Sequence, residues 1–141
     1  MKKIKLEIEY SYDFELIGLM SSAKGYKLAW EMNQQLRFNL IKSTTDLKIH
    51  HKNKSSTTYT YYTYQNALNK LKLFRNKPNE TGLSKLVLVP EFPHFDFILM
   101  CEGEEHMQGK RLQEDLRKIA TIELLAFIPL DDLKNKDHFI F

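Results

Sequence analysis

Three residues lie close enough in the chain to carry proton transfer: Glu91, His94 and Asp96. A histidine titrates near neutral pH and carboxylates are its usual partners, so the set is a candidate for general acid–base work. His94 and Asp96 share one face if a strand begins that early, which also makes them the best-placed pair for a metal. No third ligand stands at a metal-site spacing, so neither a metal nor any other cofactor is expected. His50 and His51 are adjacent, and on a strand they point to opposite faces rather than at one ion. Solvated carboxylates beside a turn histidine account for the same residues more simply. The enzyme reading of Glu91, His94 and Asp96 therefore ranks last.

A second group has the chemistry of nucleic-acid binding. Tyr59, Tyr61, Tyr62 and Tyr64 fall in a stretch that also holds Lys48, Lys52, Lys54, Lys70, Lys72 and Arg75. On one strand Tyr59 and Tyr61 share a face, and Tyr62 and Tyr64 share the other. Single-stranded RNA or DNA is commonly held this way, with cations along its backbone and rings stacked on its bases. Core packing of one Tyr pair and cross-strand contacts of the other explain the pattern equally well.

Other chemistries find no support. None of the five glycines sits in a phosphate-cradling motif, and no serine stands in a nucleophile elbow. Cys101 follows the apolar run Phe97-Ile98-Leu99-Met100 and reads as a small buried hydrophobe. As a lone cysteine it makes no internal disulfide, which suits a reducing, cytoplasmic location. No targeting segment is legible, and no apolar run approaches the ~18 residues of a membrane span. The net charge of +3 is small, but its distribution is uneven. Residues 42–77 carry eight cations and one anion, and residues 91–116 carry seven anions and two cations.

These residues need a scaffold, and the periodicities supply one. The 141 residues suit a single domain over 1–141. Alternation at Ile4, Leu6, Ile8 and Tyr10 predicts a strand. Residues 12–20 read as helix from the stripe Phe14, Ile17, Met20, with a strand as the alternative. A helix is predicted over 26–37 with Trp30 buried, and another over 104–120 with Leu112, Leu116 and Ile119 inward. Strands are predicted over 46–51, 57–65, 70–76, 84–90, 95–101 and 123–128. Short connections argue for antiparallel pairing. The expected fold is α+β, an antiparallel sheet of about five to seven strands covered on one face by two helices.

The run Val89-Pro90-Glu91-Phe92-Pro93-His94-Phe95-Asp96-Phe97 resembles the signature of the bacterial IPExxVDY family. Tyr12-Asp13-Phe14-Glu15-Leu16-Ile17-Gly18 and Tyr26-Lys27-Leu28-Ala29-Trp30-Glu31-Met32-Asn33 are similar to that family's N-terminal region. Val89 replaces Ile, Phe95 and Phe97 replace Val and Tyr, and three residues rather than two follow Glu91 before Phe95. The resemblance implies a bacterial cytoplasmic protein and no particular chemistry. Physically the run is a strand end, a proline turn, and a strand with Phe95, Phe97 and Leu99 facing one way. Glu91 and Asp96 are then suited to capping backbone N–H groups. The leading expectation is a non-enzymatic binding or adaptor protein whose partner is another protein or a second copy. Single-stranded nucleic acid is the alternative, and no membrane is involved.

Overall fold

The structure, a computed structural model, describes residues 14–103 and 109–141. The strand expected near residues 4–10 and the start of the helix expected at 104 lie outside the described residues. Eight strands are seen: β1 (Phe14–Met20), β2 (Ile41–Lys42), β3 (Leu47–His50), β4 (Ser56–Tyr59), β5 (Tyr61–Gln65), β6 (Lys70–Arg75), β7 (Phe97–Glu102) and β8 (Leu124–Ile128). Two helices join them, α1 (Gly25–Leu36) and α2 (Gly109–Leu116). Six strands form one antiparallel sheet in the order β2-β5-β6-β7-β1-β8, and β3 and β4 form a separate hairpin. The α+β expectation holds.

Both faces of the large sheet are covered. On one, Leu28, Ala29 and Met32 of α1 and Leu112 and Leu116 of α2 pack on Ile17, Leu73, Phe97 and Leu99. On the other, the β3–β4 hairpin, the segment before β7 and the C-terminal segment bring Tyr59, Leu88, Val89, Leu133 and Phe139 onto Leu16, Phe74, Ile98 and Met100. The helices thus account for one layer, and the β3–β4 hairpin with irregular chain supplies the third.

That double burial explains why residues 14–20 form a strand and not the helix expected over 12–20. β1 lies between β7 and β8, so Leu16, Ile17 and Leu19 are all buried and the period of two is lost. A continuous apolar run of this length fits a buried strand or a helix equally well by periodicity. Gly18 is the informative residue. A Cβ there would come within 2.3 Å of the Phe95 ring, so only glycine lets the ring lie on the strand. Phe95 therefore packs on the face opposite Phe97 and Leu99, against expectation, because it precedes β7 rather than belonging to it.

Three further expectations are corrected. Trp30 is 57% exposed, because the stripe laid on the sheet is Leu28, Ala29 and Met32, one step round from the stripe through Tyr26 and Trp30. Residues 57–65 break at Thr60 into two strands serving different sheets. Residues 84–90 form no strand, although Val87, Leu88 and Val89 are buried. Their backbone is held instead by Asn76, which is fully buried. The Asn76 carboxamide donates to the carbonyls of Phe92 (3.3 Å) and Phe95 (2.9 Å) and accepts from Val89 N–H (2.9 Å). Its main-chain N–H donates to the Asp96 carbonyl at 3.0 Å and its carbonyl accepts from Leu88 N–H at 2.8 Å.

Substituting Asn76→Asp keeps the shape but sets a carboxylate against two carbonyl oxygens. The expected loss is about 3 kcal/mol or more of unfolding free energy in urea titration, because two buried acceptors lose their donor. An unchanged midpoint would show that this network does not hold the segment.

Candidate functional site

The structure does not assemble Glu91, His94 and Asp96 into one site. Asp96, just before β7, accepts a hydrogen bond on Oδ2 from Ser21 N–H at 2.8 Å, and its own N–H donates to Leu19 O at 2.9 Å. It fixes the chain where β1 ends and turns toward α1. Glu91 accepts from Lys134 N–H at 3.1 Å and so tethers the C-terminal segment. His94 is exposed and its ring lies 4.3 Å from that of Phe95. Both carboxylates cap backbone N–H groups, each on a distant segment rather than in the local turn. A carboxylate that accepts such bonds is positioned as a strut.

Asp96 also lines a cleft of about 410 Å³ with Ser21, Lys24, Arg75 and Lys77 at the start of α1. Lys24 occupies the N-cap without a side-chain cap, and the first turn of α1 carries no acidic residue. The cleft is therefore electropositive apart from Asp96, which supplies the opposing charge.

The tyrosine-rich stretch does not present an open stacking face. Tyr59 and Tyr62 are buried, at 1% and 9% exposure. Tyr61 is stacked on Phe74 and met edge-on by Phe141, and Tyr64 is stacked on Phe38. Tyr59 and Tyr61 do share a face, as do Tyr62 and Tyr64, but both faces are packed. Burial raises the pKa of Tyr59 and Tyr62. For Tyr59 a hydrogen bond from Thr57 opposes this and Glu80 adds to it; for Tyr62, Tyr26 adds to it.

The cations are dispersed as well. Lys48, Lys52 and Lys54 belong to the β3–β4 hairpin and its turn, and Lys54 takes a left-handed backbone (φ 69°) there. Arg75 lines the cleft at the start of α1, and by strand alternation it faces opposite to Lys70 and Lys72. Lys72 is buried. Its Nζ donates to the Phe141 main-chain oxygen at 2.9 Å and sits 3.4 Å from the centre of that ring. Burial first, and Lys70 second, bring its pKa down to about 8, with Glu102 acting the other way. A lysine committed to such a contact does not track a phosphate backbone.

Cys101 is fully buried, and burial with Glu15 nearby pushes its thiol up to about 12, so it is an inert core residue. Among the described residues no group of three or more His, Cys, Asp or Glu is placed to hold a metal, and no helix is long and apolar enough to cross a membrane.

Two measurements check these assignments. If Asp96 is a strut, Asp96→Ala costs about 1.5–3 kcal/mol of stability, the range for a hydrogen bond to a charged group, while His94→Ala changes stability by less than about 0.5 kcal/mol. Equal effects of the two would reject that division of labour. For Lys72 the folded pKa lies below the ordinary value, so the unfolded chain holds the proton more tightly between pH about 8 and about 10.5. Its contribution is fully favourable only above that window and is lost as pH falls through about 8. Wild-type stability should therefore rise by about 1–3 kcal/mol relative to Lys72→Met as pH goes from about 8 to about 10. Parallel pH profiles would mean that Lys72 titrates normally.

No protein-family model matches the chain, and no curated protein is similar enough to count as a match. What the molecule does has to be read from its surfaces and cavities.

Proposed function

We propose that this protein is a non-enzymatic binding module whose partner is a second copy of itself, joined through strand β8. The observation that carries this reading is the composition of the sheet's edge. Among the described residues β8 is an outermost strand, and its sequence Leu124-Leu125-Ala126-Phe127-Ile128 contains no charge, proline or glycine. Leu124 is 53% exposed and Phe127 is 40% exposed. Edge strands are ordinarily blunted by lysine, proline, bulges or extreme shortness, because an unpaired row of N–H and C=O groups templates further pairing. The opposite edge obeys that rule: β2 is two residues long and ends in exposed Lys42.

The strand is also self-complementary. Antiparallel pairing about Ala126 sets Leu124 against Ile128 and Leu125 against Phe127 of the other copy, with no like charges opposed. The result is a continuous antiparallel sheet across two chains. Five residues a side is a small interface, so association in roughly the micromolar range or weaker is expected.

Light scattering at micromolar and near-millimolar protein should show a concentration-dependent dimer. Phe127→Lys, on an exposed position, should return it to monomer while circular dichroism and melting stay unchanged. A wild type that remains monomeric at the higher concentration would remove the proposal. So would a dimer insensitive to lysine at both 124 and 127.

A further inference from the structure

We propose that the cavity beneath the β3–β4 hairpin, closed by the 85–90 segment and the Lys136–Phe139 turn, binds a small anion with an apolar body, an organic phosphate or carboxylate. The cavity measures about 360 Å³, within the range of roughly 300–1,000 Å³ usual for small-molecule sites. Ile49, Val87 and Leu88 give it an apolar wall, and His51, His138, Lys52 and Lys85 bring the polar atoms. Among the described residues no carboxylate lines it. An apolar wall with convergent donors of one sign is the chemistry that selects an amphipathic anion.

Two features of the histidines at the cavity bear on this. The first is His138, whose Nδ1 is buried with no hydrogen-bond partner among the described residues. A buried nitrogen left unsatisfied carries a desolvation cost that a ligand could relieve. The second is the tautomer of His51. The Leu86 carbonyl can only accept, so Tyr59 OH must donate to it. Thr57 OH then donates to Tyr59 (2.8 Å), which leaves the Thr57 oxygen to accept from His51 Nε2–H (2.8 Å). The chain of donors fixes the proton on Nε2 and leaves Nδ1 as the ring nitrogen not used by Thr57.

The electrostatics favour an anion there. Burial lowers the pKa of His138, Asp137 opposes that shift, and His51 adds to it through repulsion. His50, Lys52 and Lys85 are the other basic groups around the cavity. Asp137 is adjacent to His138 in sequence, exposed, and not part of the lining. An anion seated between the two rings would favour protonation of both. Binding should therefore strengthen as pH falls and should take up protons.

The test is a titration followed by histidine-ring ¹H–¹⁵N spectra with four probes: phenyl phosphate, phenylacetate, inorganic phosphate and benzyl alcohol. It is run at pH about 6 and about 8, on either side of the ordinary histidine pKa. The tighter of the two aromatic anions names the headgroup. It should shift the His51 and His138 signals and bind roughly tenfold more tightly at the lower pH. Inorganic phosphate should bind more weakly, and benzyl alcohol should leave both signals in place. Lys52 and Lys85 are exposed, so the Lys52→Ala/Lys85→Ala variant keeps the fold, and it should lose roughly tenfold in affinity. The proposal is overturned if benzyl alcohol binds as well as either anion, if the double variant binds unchanged, or if no anion moves the two histidine signals.

Discussion

Asn76 is the constraint on which the remaining structure depends. It directly follows β6, and its amide and carbonyl groups take five hydrogen bonds from or to Leu88, Val89, Phe92, Phe95 and Asp96. A segment with Pro90 and Pro93 cannot satisfy its backbone in a sheet ladder, because proline lacks the donor and restricts the residue before it. Buried irregular chain must find partners elsewhere. One carboxamide with two donors and an accepting oxygen supplies them at a single point. That allows Leu88, Val89 and Phe95 to act as core although they belong to no strand.

From this fixed segment two carboxylates reach outward. Asp96 holds the exit of β1 through Ser21, and Glu91 holds the C-terminal segment through Lys134. Phe95 lies across Gly18 in the middle of β1, so backbone, ring and carboxylate fix one strand from three directions. The residues between β6 and β7 thus orient β1, and through it the edge strand β8 that pairs with β1. The same segment supplies Val87 and Leu88 to the cavity under the hairpin, so its position sets the depth of that site.

The antiparallel sheet was legible because β-branched and aromatic runs with short turns between them leave few alternatives. α1, β3, β6, β7 and β8 fall within a residue or two of their expected ranges. What was not legible follows from burial on two faces. β1 lost its alternation because neighbours cover both sides, and α1 had two overlapping apolar stripes, so Trp30 could not be told from Met32 by spacing. The stretch 84–90 has strand composition, and only the distant Asn76 makes it a loop. The roles of Glu91 and Asp96 as caps could be anticipated from residue type, whereas the segments they cap could not. The pairing of His51 with His138 joins residues 87 positions apart, and no local pattern carries such a signal.

The uneven charge of the chain has a different meaning in space than in sequence. The basic run includes β6 and the acidic run includes β7, and these two strands are paired antiparallel, with Lys70 set opposite Glu102. Glu102 in turn opposes the lowering of the Lys72 pKa by burial. At the far end of the same pair, Arg75 shares a cleft with Asp96. Pairing the two runs as neighbours sets part of the basic run against part of the acidic one, so the charge asymmetry is smaller in space than in sequence. The basic groups under the hairpin, Lys52, Lys85 and the two histidines, line a cavity that holds no carboxylate among the described residues. Positive charge on the hairpin side is thus concentrated, through Lys52, Lys85 and the two histidines, in a concave place of a size that suits a small anion.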